Sequence, residues 1–135
     1  MQVIKADVVP IRNESDIVQA RQIVRKWATE QTFAIVDQTK IITAASELAR
    51  NTLVYGRGGT MRLEALVDGV RKGLRLTFED QGPGIANLEQ ALTDGFTTGG
   101  GLGLGLSGAK RLSNDFHIES SPGQGTLVMI ARWRQ

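Results

Sequence analysis

Leu74-Arg75-Leu76-Thr77-Phe78-Glu79-Asp80-Gln81-Gly82-Pro83-Gly84-Ile85 opens as an alternating strand and ends on a carboxylate followed by a glycine-rich turn. Leu74, Leu76 and Phe78 fall on one face and Arg75, Thr77 and Glu79 on the other, the two-residue period of a half-buried strand. Upstream, Met61 to Val67 alternates in the same way, and Asp68-Gly69 and Lys72-Gly73 mark a turn region. The two runs therefore predict a hairpin whose second strand delivers Asp80 to one end of a sheet. Downstream, Gly82 to Gly105 is rich in glycine and holds a short helical run, Leu88 to Leu92. Unstructured connections beyond about 12 to 15 residues are uncommon unless they work as lids, so this stretch is expected to be functional.

Working outward, Val3 to Val9 predicts an edge or half-buried strand ending at Pro10. Asn13 has the form of a helix N-cap, with Glu14 and Asp16 in a first turn where the helix dipole favours negative charge. Ile17, Ala20, Val24, Trp27 and Ala28 then recur at helical spacing. Asp37 to about Tyr55 predicts a second helix with Ile41, Ala45, Leu48 and Thr52 on one stripe, closed by Gly56, Gly58 and Gly59. Beyond the lid, Leu106 to Ser113 predicts a helix. Phe116 to Ser120 and Leu127 to Trp133 predict strands around Pro122-Gly123-Gln124-Gly125. The order strand, helix, helix, hairpin, lid, helix, hairpin implies an α+β fold. It is a two-layer α/β sandwich with a mixed, mostly antiparallel sheet and helices on one face. At 135 residues, the stretch 1–135 is expected to be a single domain.

Composition closes off several function classes. The chain has no cysteine and one histidine, which excludes thiol catalysis, a cysteine zinc site, a disulfide framework and His-rich metal chemistry. With 41% hydrophobic and 22% charged residues, neither disorder nor a membrane span is expected. A net charge of +2 spread without a basic half, and 5% aromatics, do not suit a nucleic-acid partner. No signal peptide is indicated, so the mature chain is expected to begin at or near Met1 and to be cytoplasmic.

Glycine clustering carries the functional information. Gly99-Gly100-Gly101-Leu102-Gly103-Leu104-Gly105 abuts a helix, the arrangement in which backbone N–H groups and the helix dipole can hold phosphate. A flexible linker is the plainer reading, but linkers pair glycine with serine rather than leucine. Gly103-x-Gly105-x-x-Gly108 matches the dinucleotide fingerprint only formally, because Phe96-Thr97-Thr98-Gly99 is no strand, and neither a Walker A loop nor the protein-kinase segments occur. Asp80-x-Gly82-x-Gly84 is by itself a capped tight turn. At a strand end, however, the carboxylate can accept from an exocyclic amine such as adenine N6, while the glycines let a flat base approach the backbone. Glu47 and Asn51 lie one turn apart on the second helix, where a bare Glu/Asn pair is usually a solvated face. An Asn oxygen can complete the coordination of a Mg²⁺ held by phosphates, and a Glu beside it can orient or deprotonate a nucleophile. Gly125-Thr126 opens the last strand and places a hydroxyl where it can bond a base or a water.

Taken in order, Glu47-x-x-x-Asn51, Asp80-x-Gly82-x-Gly84, Gly101-x-Gly103-x-Gly105 and Gly125-Thr126 resemble the ordered motifs of the GHKL ATPase/kinase superfamily and its Bergerat fold. The resemblance covers roughly residues 38–131. Ser-Glu-Leu-Ala-Arg-Asn at 46–51 and Gly-Leu-Gly-Leu-Gly-Leu-Ser-Gly-Ala-Lys-Arg-Leu at 101–112 look like the RsbT-type switch kinases of the bacterial stressosome. That resemblance implies an ATP-dependent serine/threonine kinase acting on STAS-domain scaffold and antagonist proteins, and, once released, activating a PP2C-type phosphatase. It assigns Glu47 as candidate base, Asn51 as Mg²⁺ ligand, Asp80 as adenine reader, and Gly82, Gly84, Thr126 and the run from Gly99 through Gly105 as nucleotide contacts. A sigma-sequestering kinase of the RsbW/SpoIIAB type and a nucleotide sensor that transfers no phosphate are the competing readings. Histidine autophosphorylation is not expected, because the sole His117 falls in a predicted strand.

Overall fold

A computed structural model of the chain describes residues 1–93 and 102–134. Its elements run β1 (Gln2–Ile11), α1 (Glu14–Glu30), α2 (Ile35–Val54), β2 (Gly59–Asp68), β3 (Arg71–Asp80), α3 (Leu88–Ala91), α4 (Leu102–Arg111), β4 (Asp115–Ser120) and β5 (Thr126–Trp133). Among the described residues the sheet order is β1-β2-β3-β5-β4 and all four pairings are antiparallel, so no parallel pair there makes the sheet mixed. Placing β5 inside and β4 outside puts the start of β5 beside the end of β3, with Asp80 opposite Thr126.

Pleating sorts the strands into two faces. Met61, Leu63, Leu74, Leu76, Phe78, Val128 and Ile130 point into a core shared with Ile17, Val24 and Trp27 of α1 and with Ile41, Ala45 and Leu48 of α2. Arg62, Glu64, Arg75, Thr77 and Glu79 occupy the other face, where Arg75 Nε donates to Glu64 Oε1 at 2.8 Å. The described helices thus cover one side only, as the alternation predicts.

Asn13 caps α1 by accepting from the Asp16 N–H at 2.9 Å. At the far end of that helix, Gln31 is buried and its Nε2 donates to both Leu66 O and Gly73 O at 2.8 Å, fastening the helix to the β2–β3 hairpin. Arg50 Nη1 meets Glu14 Oε1 at 3.0 Å, so the end of α2 lies beside the start of α1 and the two helices run antiparallel.

Several boundaries differ from expectation. β1 continues through Pro10 to Ile11, which an edge strand permits because the missing N–H withholds no interior ladder bond. The hairpin turns at Gly69-Val70, with Gly69 at φ +63, and Lys72-Gly73 belongs to β3. Gly73 has its own reason to be glycine, since a Cβ there would come within 2.7 Å of the Trp133 ring. Helix α4 begins at Leu102 rather than Leu106, with Gly103 and Gly105 inside it. Each helical glycine costs about 1 kcal/mol relative to alanine. Burial of Leu106 and Ala109 in the core against α2 outweighs that local cost. No described helix is long and apolar enough to cross a membrane.

Candidate functional site

Where β3 ends and β5 begins, the sheet opens into a cavity of about 230 Å³ between the strands, α2 and α4. Its floor is apolar: Phe78 and Val128 are paired neighbours on the core face. Leu48 closes one side from α2 and Leu106 the other from α4, while Pro83 and Ile85 come from the loop after β3. The polar groups converge at the rim: Asn51 and Thr52 from α2, Asp80 from β3 and Thr126 from β5. A mostly apolar cleft with few fixed polar groups is the usual form of a small-molecule site.

Asp80 is 9% exposed. Its Oδ1 accepts from the Gly82 N–H at 2.9 Å, and the backbone N–H of Thr126 also donates to the carboxylate. Desolvation nevertheless pushes the carboxyl above its ordinary value, helped by the charge of Glu79, while the two N–H donors pull it back. Room for the side chain depends on glycine. A Cβ on Gly56 would stand 2.3 Å from Asp80 Cγ, and a Cβ on Gly82 would stand 2.8 Å from the Gly56 Cα. Across the sheet end, a Cβ on Gly125 would lie 2.2 Å from the Asp80 carbonyl oxygen.

The loop that follows is fastened to the β4–β5 turn. Gly84 sits at φ +76, and a Cβ there would lie 2.0 Å from Ser121 O. Gly123 N–H donates to Pro83 O at 2.7 Å, and Ile85 N–H donates to Ser120 Oγ at 2.8 Å. Ser120 in turn donates to Gly125 O at 2.9 Å and lies 2.8 Å from Thr126 Oγ1. With the Ser120 proton on Gly125, the Thr126 hydroxyl is the donor to Ser120 and keeps its lone pairs for the cavity.

Asn51 is the other distinctive group. Its Nδ2 is buried without a hydrogen-bond partner among the described residues. A buried, unpaired amide costs roughly 1 to 3 kcal/mol, so an arrangement that leaves it open points to a partner arriving from the cavity. Helix α4 passes so close that a Cβ on Gly105 would come within 3.1 Å of that nitrogen. Glu47 lies one turn earlier on α2, exposed and outside the residues lining the cavity.

Of the positions singled out in the sequence, Asn51, Asp80, Gly84 and Thr126 meet at one cavity, with Gly82 supporting Asp80. Gly105 serves as the close contact between α4 and Asn51. Leu102, Gly103 and Leu104 form the start of α4, and Gly99, Gly100 and Gly101 lie outside the described residues. His117 is exposed, with Nε2 2.7 Å from Glu119 Oε2, remote from the cavity lining. The sequence reading missed Gly56, taken there only as a helix terminator, and Ser120, whose hydroxyl joins two loops. Nothing local marks either one. Their role depends on distant contacts: Gly56 against Asp80, 24 positions later in the chain, and Ser120 with Ile85, 35 positions earlier.

The comparisons agree with this geometry. Residues 36–134 match the family model described as histidine kinase-, DNA gyrase B-, and HSP90-like ATPase. Over 125 residues the chain is 47% identical to serine/threonine-protein kinase RsbT of Bacillus subtilis, covering 93% of this chain and 94% of that protein. It is 30% identical over 122 residues to the anti-sigma F factor of Thermoanaerobacter sp. strain X514, covering 84% and 82%. A crystal structure of the RsbU and RsbW domains of Rv1364c from Mycobacterium tuberculosis superimposes with a TM-score of 0.65 at 17% identity. That match covers 97% of this chain and 33% of the other, and supports the fold. The chain belongs to the histidine kinase-, DNA gyrase B- and HSP90-like ATPase family, as an ATP-using serine/threonine kinase similar to RsbT.

Proposed function

We propose that residues 1–135 act as one cytoplasmic kinase domain that moves the γ-phosphate of Mg-ATP to a Ser or Thr of a STAS-domain scaffold or antagonist protein. Once released from that protein, the kinase binds and activates a PP2C-type phosphatase in stress signalling. The observation that carries the nucleotide assignment is the Asp80 carboxylate, held by the N–H groups of Gly82 and Thr126 at the end of an apolar slot. A carboxylate accepts and cannot donate, so it selects a base that offers an exocyclic amine, as adenine does. Gly82, Gly84 and Gly125 keep the backbone close enough for a flat ring to lie against it.

Asn51 takes the phosphate end. Among the described residues no group of three or more His, Cys, Asp or Glu side chains could hold a metal. A single hard amide oxygen, offered by Asn51, fits a Mg²⁺ that enters with the nucleotide, with phosphates and waters as its main ligands and the Asn51 oxygen completing the shell. A half-turn of the unpartnered amide presents that oxygen. When bound, the ion would neutralise charge gathering on the transferred phosphoryl oxygens. Glu47 stands exposed one turn away, where it can accept the hydroxyl proton of the acceptor residue or orient it. The glycine run from Gly99 through Gly105 and the start of α4 supply N–H groups for the phosphates.

Phosphoryl transfer from γ-labelled Mg-ATP to a STAS-domain protein encoded beside the gene, with the Asn51→Asp variant as control, tests this reading. Label on a Ser or Thr, lost in the variant, supports it. Nucleotide binding with no transfer would leave only the sensor reading. The similarity to an anti-sigma F factor supports a second reading, in which the kinase also sequesters a sigma factor, and a pull-down of sigma factors by this chain decides it.

A further inference from the structure

Asp80, Thr126 and Ser120 lie side by side on three adjacent strands. Thr126 of β5 pairs with Asp80 of β3 on one side and with Ser120 of β4 on the other. Residues directly opposite in an antiparallel pair share a face, so the three side chains form one row at the end of the sheet. Asp80 and Thr126 line the nucleotide cavity, whereas Ser120 stands next to Thr126 outside that lining.

The number of protons in the row fixes what it offers a base. Ser120 Oγ makes three contacts, with Gly125 O at 2.9 Å, with the Ile85 N–H at 2.8 Å and with Thr126 Oγ1 at 2.8 Å. A carbonyl only accepts and an N–H only donates, so the single Ser120 proton goes to Gly125 and the oxygen receives the Ile85 proton. The Thr126 hydroxyl then has to give its own proton to Ser120. Toward the cavity Thr126 is an acceptor, beside a carboxylate that also only accepts. Without the Ser120 oxygen, the Thr126 proton could turn into the cavity, and Thr126 would serve a donor or an acceptor equally well.

Two neighbouring acceptors suit an exocyclic amine, which carries two hydrogens. A purine with oxygen at position 6 brings a third acceptor to the same place and no hydrogen to share, so binding it leaves the carboxylate and the hydroxyl desolvated and unpaired. We infer that Ser120 is a positioning residue that makes the base site selective for a 6-amino purine over a 6-keto purine, by holding Thr126 as an acceptor beside Asp80. The inference rests on the reading of this cavity as the adenine site. The other contact of Ser120, with the Ile85 N–H, seats a residue of the cavity wall and serves every nucleotide alike.

That difference separates selectivity from a structural role. Calorimetry on the full chain measures the affinity for ADP and for inosine diphosphate, each with Mg²⁺; the two share ribose and phosphates and differ at the 6-position edge of the base. The parent is expected to prefer ADP by about a hundredfold, roughly tenfold for each of two hydrogen bonds. Ser120→Ala should cut that preference about tenfold, whatever affinity both ligands lose together through the Ile85 loop. Thr126→Val, which removes the hydroxyl from a side chain of similar shape, should cut it to a similar degree, and Ser120→Ala added to Thr126→Val should cut it no further. A parent-like preference in Ser120→Ala overturns the inference, as do reductions that add in the double variant. Should Ser120→Ala bind neither ligand, Ser120→Cys takes its place, since a thiol is a weak acceptor; an undiminished preference there overturns the inference equally. A parent that binds both diphosphates alike refutes the adenine reading and the inference with it. A preference that Asp80→Asn abolishes and Ser120→Ala leaves intact refutes the inference alone.

Discussion

Gly56→Ala is the sharpest perturbation of the nucleotide site. Gly56 is absent from the left-handed region, so alanine meets no backbone strain there. What alanine meets is Asp80: the new Cβ would stand 2.3 Å from Cγ and 2.4 Å from Oδ2. Carbon atoms meet without repulsion at roughly 3.5 Å, so the carboxylate must retreat by about 1 Å. Its 2.9 Å bond from Gly82 N–H then stretches beyond hydrogen-bonding range, and the acceptor moves off the adenine edge. Loss of one charge-assisted bond to the base corresponds to about 1.5 to 3 kcal/mol, or roughly tenfold to 150-fold in nucleotide affinity. Calorimetric titration with a non-hydrolysable ATP analogue reads that loss. In the double variant Gly56→Ala/Asp80→Gly the obstruction is gone, so the second substitution should add little to the first. Parent-like affinity in Gly56→Ala, or fully additive losses in the double variant, would refute the claim that Gly56 acts by making room for Asp80.

Other consequences are open to measurement. Nucleotide affinity should decline on acidification at a higher pH than an ordinary carboxylate near 3.9 would give, because burial raises the Asp80 pKa and its protonated form no longer accepts from an amine on both oxygens. The same shift has the opposite sign for folding: the native state holds this proton more tightly than the unfolded chain, so Asp80 adds stability as pH falls through its raised pKa. A titration of Kd against pH in the parent and in Asp80→Asn, which should lose the dependence, checks both the direction and the residue. Arg132 Nη2 meets Asp37 Oδ1 at 2.6 Å with side-chain exposures of 8% and 6%, so Arg132→Met leaves a buried carboxylate unpaired. That variant should lose about 3 to 5 kcal/mol, with a drop in Tm on the order of 10 °C or more, and Asp37→Leu added to it should recover most of the loss. A Tm within a few degrees of the parent in Arg132→Met would contradict this. Gly108→Ala, in α4 with open space around the new Cβ, should stabilise by up to about 1 kcal/mol with unchanged nucleotide affinity, and any loss of binding would mean the site is coupled to this turn. Glu47→Gln should lower the rate of label transfer while leaving nucleotide affinity within about twofold, since the side chain lies outside the cavity lining.

Much was legible before any coordinates, because it depends on local period and local turn chemistry. Alternation in Leu74–Phe78 sets which face of β3 is buried, and Asn13 followed by Glu14 and Asp16 sets the start of α1. The order of elements limited the fold to a helix layer on a mainly antiparallel sheet, and the ordered motifs at Glu47 and Asn51, Asp80 to Gly84, Gly101 to Gly105 and Gly125-Thr126 carried the resemblance to the family that the comparisons show. The tertiary structure decided what requires distant segments to meet. That β5 inserts between β3 and β4 depends on which edges are free when the chain closes, and this insertion alone sets Thr126 beside Asp80. The early start of α4 came from packing on α2, which overrode the helix cost of Gly103 and Gly105. Gly56 reads in sequence as a helix terminator, and its closeness to Asp80 appears only once the end of α2 is laid across the end of β3. Asp37 reads in sequence only as the start of the second helix, yet it is buried against Arg132, 95 residues away. A sequence records the period of each element and the chemistry of each turn. Which side chains meet across the fold is set by close packing of the assembled layers, a constraint that no single stretch of chain contains.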